Sequence, residues 1–204
     1  MVAMTAPGRA DTADRITTAM AELMRRQGYA ATGVAELART AEAPTGSIYH
    51  HFPDGKRGVA AAALRSTGAA YIQLLPLLLD AHDDLPAAIE AAFATAADTI
   101  ESTGWATMCP VAVVAAEIAD TEPELREVAA EVIAAWIDDG TAYLTARGLT
   151  ATDARTLIHA VLAALEGAFL MARSLRSQEP LIAAGRSLAV FARGLLDAAA
   201  RQPT

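Results

Sequence analysis

Apolar positions recur along the chain in stripes with the spacing of α-helices. Ile16, Met20, Leu23 and Met24 share one face of a segment from about Thr12 to Gln27, and Gly28 follows where a helix C-terminus favours glycine. A short helix is expected over Gly33–Thr40, with Thr32 placed to cap it and Val34, Leu37 and Ala38 turned inward. Residues 41–43 connect it tightly to a second short helix, Pro44 to about His51, and Pro53-Asp54-Gly55 is a turn. A long helix then starts near Lys56 and runs towards Leu79, where Pro76 is expected to kink or end it.

Prolines open most of the later elements. Pro86 starts a helix to about Ser102, Cys109-Pro110 one to Ala119, and Pro123 a long one to about Arg147 with Leu125, Val128, Val132, Trp136 and Tyr143 along a stripe. Asp153 to Ser177 carries Leu157, Val161, Leu165 and Ala168 on one face. The last helix, Pro180 to about Ala200, has a small-residue stripe of Gly185, Ala189 and Ala192 flanked by Leu188, Phe191, Leu195 and Leu196. The pattern predicts an all-α fold of about nine helices.

Composition agrees. Of 204 residues 53% are hydrophobic but only 5% aromatic, because alanine and leucine, both helix formers, carry the apolar count. The single cysteine, Cys109, excludes an internal disulfide and suits a reducing cytoplasm. The opening MVAMTAPGRADTADR has no apolar core, so no secretory leader is expected. The apolar run Ile72–Leu79 is broken by Gln73 and Pro76 and falls short of a membrane span, which predicts a soluble, cytoplasmic bundle with no membrane partner.

Charge changes the picture only at the N-terminal end. Residues 1–66 hold eight bases against six acids, while residues 67–204 hold eight bases against eighteen acids. A mildly basic head on an acidic chain fits an electrostatic footprint for nucleic acid, and scattered solvated charge fits it equally well.

The segment PTGSIYHHFPDGK, Pro44–Lys56, is small and polar at its front and aromatic at its back. Two short helices joined by a few residues, the second opening on small residues, make a helix-turn-helix candidate. A recognition helix must bring its N-terminal backbone close to base edges and phosphates, and Thr45, Gly46 and Ser47 permit that approach. Tyr49 and His50 would extend outward, while Ile48, His51 and Phe52 turn back onto the first two helices. Thr45, Tyr49 and Lys56 are expected at phosphates, with Gly46, Ser47 and His50 nearest the bases, and Thr32, Gly33 and Pro44 complete the expected DNA-binding set. An ordinary helix corner with aromatic filler is the alternative reading of the pattern alone.

GYAATGVAELARTAEAPTGSIYHHFPDGKRGVAAAAL, Gly28–Leu64, resembles the DNA-binding head of the TetR family of bacterial transcriptional regulators. The matching residues are Gly28-Tyr29, Thr32, Val34, Leu37-Ala38, the run Gly46–Phe52, and Lys56. The family usually has glycine where Glu42 stands and often serine where Pro44 stands. MCPVAVVAAEIADTEPELREVA, Met108–Ala129, is similar to the regulatory domain of the LmrA/YxaF-like group of that family. The resemblance implies a head over residues 10–66 with its motif at about 33–52. It also implies a non-catalytic domain over residues 67–204 that binds a small molecule and dimerises, with a palindromic operator and repression as the family norm.

Within the second domain the sparse large residues Tyr71, Phe93, Trp105, Met108, Cys109, Trp136 and Phe169 are candidates to line an apolar effector cavity. Leu157, Val161, Leu165, Gly185, Leu188, Ala189, Ala192 and Leu195 are the expected homodimer face, since the last two helices are apolar over more than one side. The sequence holds no phosphate-cradling glycine loop, no His-Glu-x-x-His, no Gly-x-Ser-x-Gly and no CxxC, and no cofactor or metal is expected. A helical small-molecule-binding or interaction protein without regulatory DNA binding is the alternative class.

Overall fold

The computed structural model describes residues 9–106 and 108–201, so the segment that bears on a secretory leader lies largely outside the described residues, as do the side chains of Arg9 and Asp11. Among the described residues there are nine helices: α1 Arg9–Gln27, α2 Val34–Thr40, α3 Thr45–His51, α4 Lys56–Leu79, α5 Leu85–Ser102, α6 Pro110–Ile118, α7 Pro123–Ala146, α8 Ala151–Leu175 and α9 Glu179–Ala200. The chain forms two compact units. One gathers the residues up to Ala69 with Cys109–Val132, and the other gathers Ala70–Met108 with the residues from Ile133 onward.

In the first unit α1 is the central support. Ile16, Met20 and Met24 are fully buried, and the helix packs on α2, α3 and α6. The opening of α4 runs parallel to the opening of α7: Arg57 pairs with Glu124 at 2.9 Å and Arg65 with Glu131 at 3.1 Å. These exposed pairs add little stability. Gly68 lies against Val132, with no room for a side chain between them.

The second unit has its core among α5, α8 and α9, with Phe93, Ile100, Leu157, Leu181 and Leu188 at its centre. Asp84 caps α5 by accepting from the Ala87 N–H at 3.1 Å, and Arg193 pairs with it at 2.7 Å. That Arg193 hydrogen bond is the main cause holding the Asp84 carboxyl below its ordinary value. Thr150 caps α8 through the Asp153 N–H at 3.1 Å and donates to Asp153 Oδ2 at 2.8 Å. α4 does not end at Pro76 but continues to Leu79. Beyond that end the Arg147 guanidinium donates to the His82 carbonyl at 2.8 Å and the Asp83 carbonyl at 3.2 Å. It also pairs with Asp80, which accepts from the Tyr143 hydroxyl. α4 and α8 are each long and apolar enough to cross a membrane by length and composition, a match that the sequence reading of Ile72–Leu79 alone does not anticipate.

The residues of the expected dimer face differ in burial. Leu157, Gly185, Leu188, Ala189 and Ala192 are largely buried inside the protomer. Their stripe on α9 is the side that packs on α5, where a Cβ on Gly185 would stand 2.6 Å from Phe93 Cβ. Val161, Leu165 and Leu195 are half-buried against the same core. The exposed apolar side chains of α8 and α9 are Leu170, Met171, Leu175, Val190 and Phe191.

Gly185→Ala is therefore expected to destabilise the chain by about 1–3 kcal/mol, although alanine is the better helix former. Denaturant unfolding measures it, and a neutral or stabilising effect would show that α5 and α9 do not meet as described.

Candidate nucleic-acid interface

α2 and α3 have seven residues each, too short to persist alone, and they are held by the inward side chains Leu37 and Ile48, both fully buried. The turn between them is a Schellman closure: the Ala43 N–H donates to the Ala38 carbonyl at 3.0 Å and the Glu42 N–H to the Arg39 carbonyl at 3.2 Å. Glu42 occupies the left-handed position at φ 50°, where glycine is at ease and a side chain is strained.

α3 divides its residues between two sides. Pro44, Thr45, Gly46, Tyr49 and His50 are exposed, Ser47 is half-buried and Ile48 is buried. Thr45 and Tyr49, like Gly46 and His50, are one turn apart and face the same way. A Cβ on Gly46 would meet nothing within 4 Å, so the outer surface is open there. Tyr49 lies against the following turn, where a Cβ on Gly55, at φ 60°, would stand 3.0 Å from its ring. His51 and Phe52 are half-buried behind it.

Lys56 opens α4 with its Nζ 4.1 Å from the centroid of the Tyr29 ring and 3.4 Å from the Ala30 carbonyl oxygen, to which it donates. Burial lowers the affinity of Lys56 for its proton, with Glu117 and Glu122 acting in the opposite direction. Burial likewise raises the Tyr29 phenol, assisted by Glu122 and Glu117 and opposed by Arg57. Thr32 departs from expectation. It is fully buried and its hydroxyl donates to the Gly28 carbonyl at 2.8 Å, while Gly33 stands at the N-cap of α2 without a side-chain cap bond. Thr32 thus neither caps α2 nor presents a side chain to a ligand. Gly33 itself is exposed.

The candidate effector residues are only partly brought together. Tyr71 and Trp136 stack with centroids 5.9 Å apart and planes 16° apart. Phe93 belongs to the core of the second unit, and Trp105 and Phe169 pack on that core. Met108 is half-buried, and Cys109 is buried at the N-cap of α6, in the first unit. A groove of about 620 Å³ between the start of α5 and α9, bordered by Asp84, Glu90, Arg186 and Arg193, includes none of them.

Two short helices buried on one side, with small and aromatic polar residues on the other, define a helix-turn-helix DNA-binding protein. Comparisons with known proteins place it further. Residues 16–63 match the family of bacterial regulatory proteins, tetR family, and residues 86–187 match the transcriptional regulator LmrA/YxaF-like C-terminal domain. The HTH-type transcriptional regulator YxaF of Bacillus subtilis is 28% identical over 185 residues, covering 91% of this chain and 97% of that protein. LmrA of the same organism is 27% identical over 172 residues, covering 84% and 92%. The solved structure of Escherichia coli NemR in its reduced form superposes with a TM-score of 0.73 at 27% identity, over 89% of this chain and 97% of that one. A TetR-family regulator from Cytophaga hutchinsonii, at 21% identity, shares the fold with a TM-score of 0.77 over 94% and 98%. The chain belongs to the TetR family of transcriptional regulators, in its LmrA/YxaF-like branch, and as such is a DNA-binding transcription factor and not an enzyme.

Sequence reasoning missed one group in this unit. Glu117 of α6 accepts from the Tyr29 N–H at 2.7 Å and the Ala30 N–H at 2.6 Å, across 88 and 87 residues of chain. No local pattern announces such a contact.

Replacing Glu42 by glycine should relieve the left-handed strain and raise stability by about 0.5–1 kcal/mol, after the entropy that glycine adds to the unfolded chain. Thermal and denaturant melts of Glu42→Gly measure it, and a loss of stability would contradict the strain.

Proposed function

We propose that the chain is a dimeric repressor that sits on a palindromic operator and leaves it on binding a small apolar or aromatic effector in the cytoplasm. Residues 10–66 would bind DNA, and residues 67–204 would hold the effector and the dimer contact. The observation that carries the DNA contact is the outward face of α3, with Thr45, Gly46, Tyr49 and His50 exposed over a buried Ile48. In this reading Thr45, Tyr49 and Lys56 hold phosphates, Gly46, Ser47 and His50 lie nearest the bases, and Gly33 and Pro44 border the approach. The stacked pair Tyr71 and Trp136 supports an aromatic effector. Dimerisation would use the exposed Leu170, Met171, Leu175, Val190 and Phe191, since apolar side chains of this size in water favour burial against a second copy.

Three measurements test it. Tyr49→Phe should weaken every duplex about fivefold without altering sequence preference, whereas His50→Ala should relax preference; the opposite assignment would overturn the roles. Lys56 is the only lysine in the chain, so acetylation of that amine should slow when operator DNA is bound, and an unchanged rate would remove it from the interface. Met171→Asp should convert a dimer to a monomer in sedimentation and abolish binding to a palindrome whose half-sites lie roughly 34–36 Å apart. A wild-type protein that binds such DNA as a monomer would overturn the dimer.

A further inference from the structure

We propose that Glu117 is a positioning residue for DNA binding, whose carboxylate, reaching from α6, fixes the turn through which α1 hands the chain to the helix-turn-helix. The inference rests on the DNA-binding reading of α2 and α3.

The turn from Gly28 to Ala31 makes few backbone bonds of its own. The Gly28 N–H reaches the Met24 carbonyl at 2.9 Å and the Thr32 N–H reaches the Tyr29 carbonyl at 3.1 Å. Side chains serve three of its carbonyls and two of its N–H groups. Thr32 serves the Gly28 carbonyl, Lys56 the Ala30 carbonyl, and Gln27 the Ala31 carbonyl at 3.2 Å. The two consecutive N–H groups of Tyr29 and Ala30 both donate to Glu117, one to each carboxylate oxygen. Charge-assisted bonds of this length are stronger than neutral ones, and two together fix an orientation as well as a distance. Tyr29 is buried, so without Glu117 its N–H would sit where water reaches it poorly.

The turn is also built to admit the carboxylate. Gly28 has φ 81°, and a Cβ there would stand 2.5 Å from Glu117 Oε2. Beyond the turn, α2 starts on Gly33 with no capping side chain, and a Cβ on that glycine would meet nothing within 4 Å. The entry to α2 is therefore set by the turn and not by contacts of its own first residue. α3 rests on α2 and α1, so the direction of the turn passes to the exposed face of Thr45, Gly46, Tyr49 and His50.

Positioning and charge make opposite demands. Removing a carboxylate from the DNA-binding unit favours all DNA, through weaker repulsion of phosphates. Losing the clamp penalises only the sequence that the two heads must fit. The experiment selects a duplex from a random library with the wild-type protein, then measures that duplex and a scrambled one against Glu117→Gln and Glu117→Asp. The aspartate variant keeps the charge but is one methylene too short to reach both N–H groups. Both variants should lose about five- to tenfold of the selected-to-scrambled affinity ratio, the scale of one lost hydrogen bond of ordinary net strength. Amide exchange at Tyr29 and Ala30 should quicken while that of Leu37 holds, and Gly28→Ala should reproduce the pattern by expelling the carboxylate. A ratio unchanged in folded variants whose Tyr29 and Ala30 amides have lost protection would overturn the proposal, as would amides unaffected by either substitution. A wild-type protein that selects no duplex would instead overturn the DNA-binding reading itself.

Discussion

Everything in the DNA-binding unit follows from the shortness of α2 and α3. Seven residues give two turns of helix, too few internal hydrogen bonds to offset the cost of starting one. Such helices exist only where other elements hold them, and the holding leaves Thr45, Gly46, Tyr49 and His50 on the outer face of α3 exposed. One-sided support is the result. Leu37 and Ile48 enter the core behind the motif, the Schellman turn joins the two helices without lengthening either, and the fastenings of the flanking turns come from α4 and α6.

The basic surplus of the head is small, and its arginines are largely engaged with carboxylates: Arg26 with Glu22, Arg39 with Glu36, Arg57 with Glu124 and Arg65 with Glu131. Arg57 and Arg65 both reach from α4 to α7. A count of bases therefore overstates the charge that these arginines leave free for phosphate.

Much of this was legible in the sequence, because it is local. Apolar spacing, prolines at helix starts and glycines after helix ends place all nine helices of the described residues within a few positions, and the left-handed Glu42 follows from a turn that has no glycine. What was not legible is long-range. Glu117 is an ordinary acidic residue on a helix until the fold brings it to Tyr29 and Ala30. The stripe from Gly185 to Ala192 reads as a face for a second chain, yet it packs on α5, since periodicity reports that a face is covered and not by what. Thr32 illustrates the converse: a residue suited to a helix cap turns its hydroxyl back to the Gly28 carbonyl, because the turn needs that donor more than α2 does.

The fit between Gly28 and Glu117 also has a history written into it. A side chain at position 28 and a carboxylate at position 117 cannot occupy the same space, and the two residues are almost ninety positions apart. Among descendants of this chain, each constrains what the other may become. A methyl group gained at 28 would push the acid at 117 aside, and two amides would then need another acceptor. The pair should drift together or stay fixed together, so that a single hydrogen-bonded turn ties the evolution of the DNA-reading end of the chain to that of a helix far along it.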